Sequence, residues 1–283
     1  MTSNISEISV PRDPLIKISA SRAALIPQLK DFWAHRELLY FLIWRDLKVR
    51  YRQTLMGIAW VVLQPLLMTL VFTVFFSKLG HFRSEGVPYP LFAYAGLLPW
   101  TFFSNSVAAG SSSLLSNSYI ITKVYFPRLL LPAAIVGVRL IDFLIASAVL
   151  VGLMLFYGIT ISRSMLMLPV LVAELSLLAT AMGAWFSVLN IEYRDVSTVL
   201  PVLIQLWMFA SPIIYPANLI PPGWRFVYSL NPLVGLVEGF RSAVFGLSFA
   251  WQALLVSSIT TLLLAAYVAY VFNRSQEYLI DKL

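Results

Sequence analysis

One uncharged stretch restricts the fold of this chain more than any other feature. Phe249 to Phe272 are 24 consecutive residues without Asp, Glu, Lys or Arg. A bilayer core is about 30 Å thick, and about 20 helical residues cross it. The composition points the same way, because 59% of the 283 residues are apolar and only 12% are charged, about half the usual charged share. The sequence therefore predicts an all-α polytopic membrane protein.

Uninterrupted apolar runs predict six transmembrane helices. Their expected bounds are residues 55–77, 91–114, 131–157, 165–189, 196–215 and 249–272. These spans define a transmembrane domain over residues 55–273, which follows an N-terminal segment (1–54) and precedes a short tail (274–283). An even number of spans places both termini on the same side.

The distribution of Lys and Arg predicts which side of the membrane holds the termini. Nine of the 20 Lys and Arg residues precede the first span, whereas the later connections and the tail split five to five between the two sides. Cytoplasmic segments carry the excess of Lys and Arg in membrane proteins. We therefore expect both termini in the cytoplasm. No signal peptide is visible, because the first apolar stretch is short and interrupted by Arg45 and Asp46.

Missing residue types and motifs exclude several functions. The chain has no Cys, and its two His residues, His35 and His81, lie far apart in the sequence, so a metal site has little to build from. The chain contains no phosphate-binding loop of the form Gly-x-x-x-x-Gly-Lys-Ser/Thr. We expect neither catalysis nor a bound metal or cofactor in this chain. Uphill transport would need an ion gradient or a partner protein.

Residues 36–52 are predicted to form a helix on the membrane surface. One face of this helix collects apolar and aromatic side chains, namely Leu39, Tyr40, Ile43, Trp44, Leu47 and Tyr51. The other face carries Arg45, Lys48 and Arg52, while Arg50 lies at the apolar edge, where it could snorkel. A basic amphipathic helix with Trp and Tyr suits the cytoplasmic headgroup region. The alternative is a positive stretch that only orients the first span.

The second connection, residues 116–128, is cytoplasmic in this topology and nevertheless rich in apolar groups. These groups are Tyr119, Ile120, Ile121, Tyr125 and Phe126. Exposed apolar side chains beside polar ones are typical of a docking surface. The same side chains could instead be buried in their own chain, and the residues alone do not decide between the two.

Residues 216–247 are predicted to be re-entrant. The segment opens with several Pro and Gly residues and continues as an apolar run that includes Asn231, Pro232, Glu238 and Arg241. Such a run is too short to cross a bilayer. Broken apolar helices are tolerated where protein or a cavity covers their backbone.

Three ionisable residues fall inside the spans. Arg139 and Asp142 are spaced i, i+3 on one helix and are expected to neutralise each other. Glu174 stands alone in the outer half of the fourth span, and we expect it to pair with Arg241 or Arg225. Charges in spans often mark function, so proton coupling through Glu174 is the alternative.

Aromatic residues make up 14% of the chain, and many lie within the spans. Tyr and Trp rings combine an apolar body with a hydrogen-bonding edge, which suits the packing of a glycan in a pore. Aromatic residues also pack helices together and gather at the membrane interface in any membrane protein. The aromatic content by itself leaves both readings open.

Four stretches resemble one family of transporters. They are residues 45–60 (Arg-Asp-Leu-Lys-Val-Arg-Tyr-Arg-Gln-Thr-Leu-Met-Gly-Ile-Ala-Trp) with Gln64-Pro65, residues 123–128 (Lys-Val-Tyr-Phe-Pro-Arg), Tyr193-Arg194-Asp195, and residues 231–241 (Asn-Pro-Leu-Val-Gly-Leu-Val-Glu-Gly-Phe-Arg). The chain resembles the membrane subunit of ABC-2-type polysaccharide and polyol-phosphate exporters, which include the O-antigen (Wzm-like), capsule and teichoic-acid permeases. The likeness extends from about residue 30 to the C-terminus.

The resemblance implies an assembly and a role for each segment. Two copies of the chain and two cytoplasmic ABC ATPase subunits, which use ATP and Mg, would export a polysaccharide carried on undecaprenyl diphosphate across the bacterial inner membrane. Residues 36–52 would be the interface helix, and the outer residues Asn231, Pro232, Glu238 and Arg241 would close the channel. The ATPase-coupling residues would be Asn117, Tyr119, Ile120, Ile121, Lys123, Tyr125 and Phe126. The channel lining would include Trp60, Phe72, Phe75, Trp100, Phe103, Trp207 and Tyr215.

Three other functions compete with this one. An ABC-2 exporter of lipids or drugs would share the six-span plan. An ion-coupled secondary transporter would use the intramembrane charges, but such proteins often show inverted repeats that this sequence lacks. A membrane glycosyltransferase is disfavoured by the shortage of clustered carboxylates. We expect membrane lipid around the protein and no nucleic-acid partner.

Overall fold

The computed structural model of the chain describes residues 31–52, 57–79, 86–124 and 126–282. Every regular element in these ranges is a helix. We number the helices α1 (Arg36–Arg52), α2 (Gly57–Phe72), α3 (Tyr89–Ser111), α4 (Ser113–Ser116), α5 (Ser118–Lys123), α6 (Leu130–Phe156), α7 (Leu168–Glu192), α8 (Val196–Phe209), α9 (Arg225–Ser229), α10 (Pro232–Phe245) and α11 (Trp251–Lys282). A π-helical turn, Thr73–Leu79, extends α2, and a 3₁₀ turn, Arg163–Met167, precedes α7.

Four helical segments in the described residues are long and apolar enough to cross a bilayer. They are Gly57–Phe76, Leu130–Phe156, Arg163–Glu192 and Trp251–Phe272. The all-α, multi-pass prediction is therefore confirmed. The two other predicted spans, 91–114 and 196–215, correspond to α3 and α8, which end earlier, at Ser111 and Phe209. At 1.5 Å per residue, the 14 residues of α8 extend about 21 Å, less than the bilayer core.

Helix α3 lies at the centre of the bundle and packs against α2, α6, α7 and α10. Every residue from Leu91 to Trp100 is buried. Small residues allow its backbone to lie close to α7. A Cβ atom on Gly110 would lie only 3.0 Å from the Cα of Gly183. Close contact between small residues is a usual way for membrane helices to pack, since van der Waals contact replaces the hydrophobic effect there.

The end of the bundle where α3 finishes holds α1 and α5. A cluster of buried side chains joins these helices to the start of α6, and it includes Leu42, Leu114, Ile121, Phe126 and Leu130. Helix α1 packs directly on α6, where a Cβ atom on Gly137 would lie 2.6 Å from Cδ1 of Ile43. The predicted helix 36–52 is therefore present with the predicted bounds. It rests on protein along its Leu42 side.

The opposite end of the bundle holds α10. Asn231 begins this helix by accepting a hydrogen bond from the Leu233 N–H (3.1 Å), and Gly246 ends it with a φ of 68°, a conformation that glycine adopts without strain. Nearly all of its residues are buried, against α3, α7 and α11. The structure thus places a short, protein-covered helix where the sequence predicts a re-entrant one.

Candidate functional site

The carboxylate of Asp142 lies at the centre of a polar cluster that joins α1 to α6. Its Oδ2 is 2.9 Å from Nη2 of Arg50 and 3.4 Å from Nη1 of Arg139, and its Oδ1 accepts a hydrogen bond from the hydroxyl of Tyr51. We call these four residues the Asp142 cluster. The predicted Arg139–Asp142 pair is confirmed, with two further partners from α1. A buried charge needs such partners, because an unpaired one is costly.

Arg50 and Tyr51 have roles that differ from those expected. The sequence pattern puts Tyr51 on the apolar face of α1 and Arg50 at its edge, where it could snorkel, whereas in the structure both side chains contact Asp142. Burial and the adjacent carboxylate raise the pKa of Tyr51 to about 12. Tyr51 is therefore a neutral hydrogen-bond donor over the physiological pH range. The C-terminal end of α1 is fastened to α6 by charge as well as by packing.

A second polar contact joins α1 to the segment before α5. Nη2 of Arg45 donates to Oδ1 of Asn117 at 3.0 Å, and Arg45 also pairs with Asp46 at 2.8 Å. The amide of Asn117 donates in turn to the Ser113 carbonyl (2.9 Å), at the start of α4. The remaining basic face of α1 is exposed: Lys48 lies 4.6 Å from the ring centre of Trp44, and Arg52 extends outward.

The coupling segment, residues 117–126, divides its apolar side chains between two environments. Tyr119 is 70% exposed and Lys123 folds over it, with Nζ 3.9 Å from the ring centre. Ile121 is only 7% exposed and Phe126 is also buried, both in the cluster beneath α1, while Ile120 is half-buried. Tyr125 lies outside the described residues. Burial in the same chain therefore holds for Ile121 and Phe126, whereas Tyr119 is exposed and its role in docking stays a prediction.

At the opposite end of the bundle, Arg241 fastens α10 to the end of α8. Its guanidinium donates to the carbonyl of Pro212 (2.6 Å) and to that of Ile213, and it lies 3.7 Å from the ring centre of Phe92 on α3. The side chain is buried. A guanidinium with donors in a fixed fork suits two adjacent carbonyls better than an ammonium does.

Asn231 makes a second link between the same two elements. Its amide donates to the Ala210 carbonyl (3.1 Å) and to Oγ of Ser211 (2.9 Å), while its Oδ1 accepts from the indole N–H of Trp207 (3.0 Å). Tyr215 receives a hydrogen bond from Tyr228 (3.0 Å) and donates to the Phe209 carbonyl (2.9 Å). The segment predicted to close the outer mouth is thus tied to the fifth predicted span. Pro232 is buried at the first turn of α10, and Glu238 is half-buried.

The pairing predicted for Glu174 is wrong. Its Oε2 accepts a hydrogen bond from Ser258 on α11 (3.0 Å), and its Oε1 is buried with no hydrogen-bond partner among the described residues. Arg241 is occupied by backbone carbonyls, and Nε of Arg225 donates to the Ile220 carbonyl (3.2 Å). The hydroxyl of Ser258 on the neighbouring helix reaches Glu174, and neither arginine does.

The aromatic residues named for a channel fall into two groups. Trp60 and Phe75 on α2 are exposed, and Phe72, Trp207 and Tyr215 are partly exposed. Trp100 is buried and Phe103 is completely so, with its ring 5.3 Å from that of Trp207 in an edge-on contact. In this conformation these two rings pack inside the subunit, away from any surface that a second copy could meet. The period of α3 alone does not show which side faces outward, because most of its residues are buried.

Sequence reasoning missed the interhelical contacts of the polar residues in α1. The Arg45–Asn117 and Arg50–Asp142 contacts join residues 72 and 92 positions apart. A weak signal was present, since Arg50 breaks the amphipathic pattern of α1 and α6 carries a carboxylate. Nothing in the pattern, however, indicated that the two would meet.

The family model and the similar proteins found by comparison all describe membrane transport proteins. The family model described as "ABC-2 type transporter" matches residues 37–245. The O-antigen export system permease protein RfbA of Myxococcus xanthus is 29% identical over 259 residues, which are 90% of this chain and 98% of that protein. A protein of the same name from Klebsiella pneumoniae is 27% identical over 84% of this chain and 92% of its own length. The polysialic acid transport protein KpsM of Escherichia coli is 27% identical over 71% of this chain and 78% of its own.

The matched region contains every element described above as a candidate site, from α1 through the Asp142 cluster and the coupling segment to α10. The family model covers well over half of the sequence, and the multi-pass helical fold is consistent with a membrane transporter. This chain belongs to the ABC-2 type transporter family.

Proposed function

We propose that this chain is the permease subunit of an ATP-driven exporter of a lipid-linked polysaccharide, an O-antigen or a similar surface glycan. The observation that carries the proposal is the alignment with O-antigen export permeases over nearly the full length of both proteins. A match of that extent includes the coupling segment and the outer helices together. The proposed place of work is the bacterial inner membrane, with both termini in the cytoplasm.

In this proposal, a separate ATPase subunit supplies the energy for export. The sequence has no phosphate-binding loop of its own. Two copies of a cytoplasmic ABC ATPase would bind ATP and Mg, and the exposed side of the coupling segment would receive their motion. Because α1 contacts both Asn117 and Asp142, a displacement of the coupling segment would reach α6 through α1.

The proposed path for the polymer is a channel between two copies of the chain. The exposed aromatic residues of α2, Trp60 and Phe75, support this location, because they lie on the surface of the subunit. Trp207 near the end of α8 and Tyr215 beyond it are partly exposed. The glycan would be exported while attached to undecaprenyl diphosphate.

The proposed function is tested by deletion and by purification. In a host lacking the gene, surface polysaccharide should disappear and lipid-linked polymer should accumulate in the cytoplasm. Purification of the tagged chain in mild detergent should recover an ATPase at one copy per permease, quantified by mass spectrometry. If an ATPase co-purifies but the deletion strain keeps its surface polysaccharide, the chain would instead belong to an exporter of lipid or drug. Recovery of the chain alone, with transport abolished by a proton uncoupler, would indicate a secondary transporter.

The two sides of the coupling segment should respond differently to a negative charge. Tyr119→Glu changes an exposed side chain, so we expect normal membrane levels of the permease but loss of ATPase association and export. Ile121→Glu places a charge in a buried cluster and should lower the amount of folded protein instead. The conservative variant Tyr119→Phe keeps the ring and should export normally. Full ATPase association in Tyr119→Glu would remove this residue from the docking surface.

A further inference from the structure

A cavity of about 260 Å³ lies where the C-terminal end of α1 meets α2, α3 and α6. The Asp142 cluster forms one wall of it, with two guanidinium groups and one carboxylate among its four residues. Since Tyr51 is neutral, this wall carries one positive charge in excess. The cavity belongs to neither the coupling segment nor the outer helices, although Trp60, one of the aromatic residues named for the channel, lies in its lining.

Two side-chain amides line the same cavity, beside the Thr101 hydroxyl, which donates to the Leu98 carbonyl (3.0 Å). They are the side-chain amides of Gln64 on α2 and Asn105 on α3, and within the described ranges neither makes a hydrogen bond. The remaining walls are apolar and include Trp60 and Phe102. The side chain of Arg50 is 34% exposed and Trp60 lies at the surface, so the cavity is open on that side. At about 30 Å³ per water molecule it holds about nine, enough room for a phosphate or a diphosphate group.

An excess positive charge near the hydrocarbon core is costly unless an anion balances it. The arginine fork matches phosphate oxygens bidentately through paired N–H groups. The amides can donate further hydrogen bonds to the same oxygens. Basic cavities between membrane helices on the cytoplasmic side are suited to lipid headgroups, and α1 lies at the end of the bundle that we expect in the cytoplasm.

We infer that this cavity binds the phosphate group of a membrane lipid, with Arg50 and Arg139 as the cationic ligands and Asn105 and Gln64 as additional donors. The phosphate has two sources, an anionic phospholipid or the phosphate-bearing end of the exported lipid-linked polymer. The second source rests on the proposed function, whereas the site itself does not.

The test is a binding titration of the purified permease in detergent, followed by native mass spectrometry. The probes are geranylgeranyl diphosphate, phosphatidylglycerol and uncharged geranylgeraniol. We expect geranylgeranyl diphosphate to bind and geranylgeraniol not to bind. Arg139→Gln should raise the dissociation constant at least about tenfold, because it removes a charge-assisted contact. Arg163→Gln removes the same charge from an exposed position, at the start of the 3₁₀ turn before α7, and should leave binding unchanged.

The variants are chosen so that the subunit still folds. Arg139→Gln leaves Asp142 with Arg50 and Tyr51 as partners, and Arg50→Gln leaves it with Arg139 and Tyr51. Asn105→Leu changes no charge and should weaken binding through the lost amide, which provides a second measurement if an arginine variant is unstable. Thermal unfolding of each variant verifies its fold.

The outcomes separate the two sources. Equal binding of phosphatidylglycerol and geranylgeranyl diphosphate, both sensitive to Arg139→Gln, supports a phospholipid site. Binding of geranylgeranyl diphosphate alone with the same sensitivity supports a site for the end of the polymer lipid. Binding that Arg139→Gln, Arg50→Gln and Asn105→Leu all leave unchanged overturns the inference, as does the absence of phosphate-dependent binding. Because no transport or ATPase is involved, these results are independent of the deletion and purification experiments.

Discussion

Asp142→Asn is expected to lower the melting temperature of the purified subunit by about 10 °C. The substitution removes the only carboxylate that contacts Arg50 and Arg139 among the described residues, so two guanidinium groups remain without an ionic partner. Breaking a buried ion pair by removing one member costs about 3–5 kcal/mol, and we use the lower value because Arg50 is partly exposed. About 3 kcal/mol corresponds to about 6–12 °C for a chain of this size. Thermal unfolding in detergent without added anionic lipid measures the effect.

Asp46→Asn is the matched control for this prediction. It makes the same chemical change on α1, in an ion pair with Arg45 whose two side chains are each 31% exposed. Exposed pairs contribute at most about 1 kcal/mol, so the melting temperature should change by less than about 4 °C. Equal effects of the two substitutions would show that the Asp142 cluster does not hold α1 to α6.

Arg241→Met is expected to increase hydrogen exchange of the α10 amides about a hundredfold. The buried guanidinium donates to the carbonyls of Pro212 and Ile213 and covers the ring of Phe92. Each hydrogen bond from a charged group contributes about 1.5–3 kcal/mol, so two of them contribute about 3 kcal/mol. Each 1.4 kcal/mol is a factor of about ten in an opening equilibrium. Exchange followed by mass spectrometry of peptides from α10 gives the measurement.

Arg225→Met provides the comparison for Arg241. Arg225 is exposed and makes one hydrogen bond, from Nε to the Ile220 carbonyl. Its loss should leave α10 exchange within about threefold of the wild-type rate. Arg241→Lys keeps the charge but lacks the guanidinium fork. Its α10 exchange rate should lie between those of Arg225→Met and Arg241→Met. If α10 remains protected in Arg241→Met, then packing against α3, α7 and α11 holds this helix without help from the arginine.

Patterns local in the sequence predicted local structure well. The amphipathic period over residues 36–52 gave the bounds of α1, and the i, i+3 spacing predicted the Arg139–Asp142 pair. Pro and Gly at the two ends of the apolar run predicted a short helix, now seen as α10 between Asn231 and Gly246. In each case neighbouring residues interact through helical geometry, which the sequence carries by itself.

Contacts between distant elements were predicted less well. The partner expected for Glu174 was an arginine of the outer segment, and the structure supplies Ser258 on α11. Trp100 and Phe103 were expected to line a channel, and they pack inside the bundle, because α10 and α7 cover α3 on sides that its sequence does not distinguish. An apolar residue in a membrane helix faces lipid, a neighbour or a channel at similar cost, so hydropathy alone does not assign its side.

The sequence by itself determined that this chain is helical and crosses the membrane several times, because the length of an uncharged run is compared directly with the thickness of a bilayer. It also determined where α1 and α10 lie along the chain, because periodicity and Pro or Gly act within a few residues. Only the tertiary structure decided that Arg50 and Tyr51 turn to Asp142, that Ile121 is buried while Tyr119 is exposed, and that a cavity with one excess positive charge forms beside α1. Charge balance and burial depend on which helices become neighbours, and that choice is made by the packing of the whole bundle.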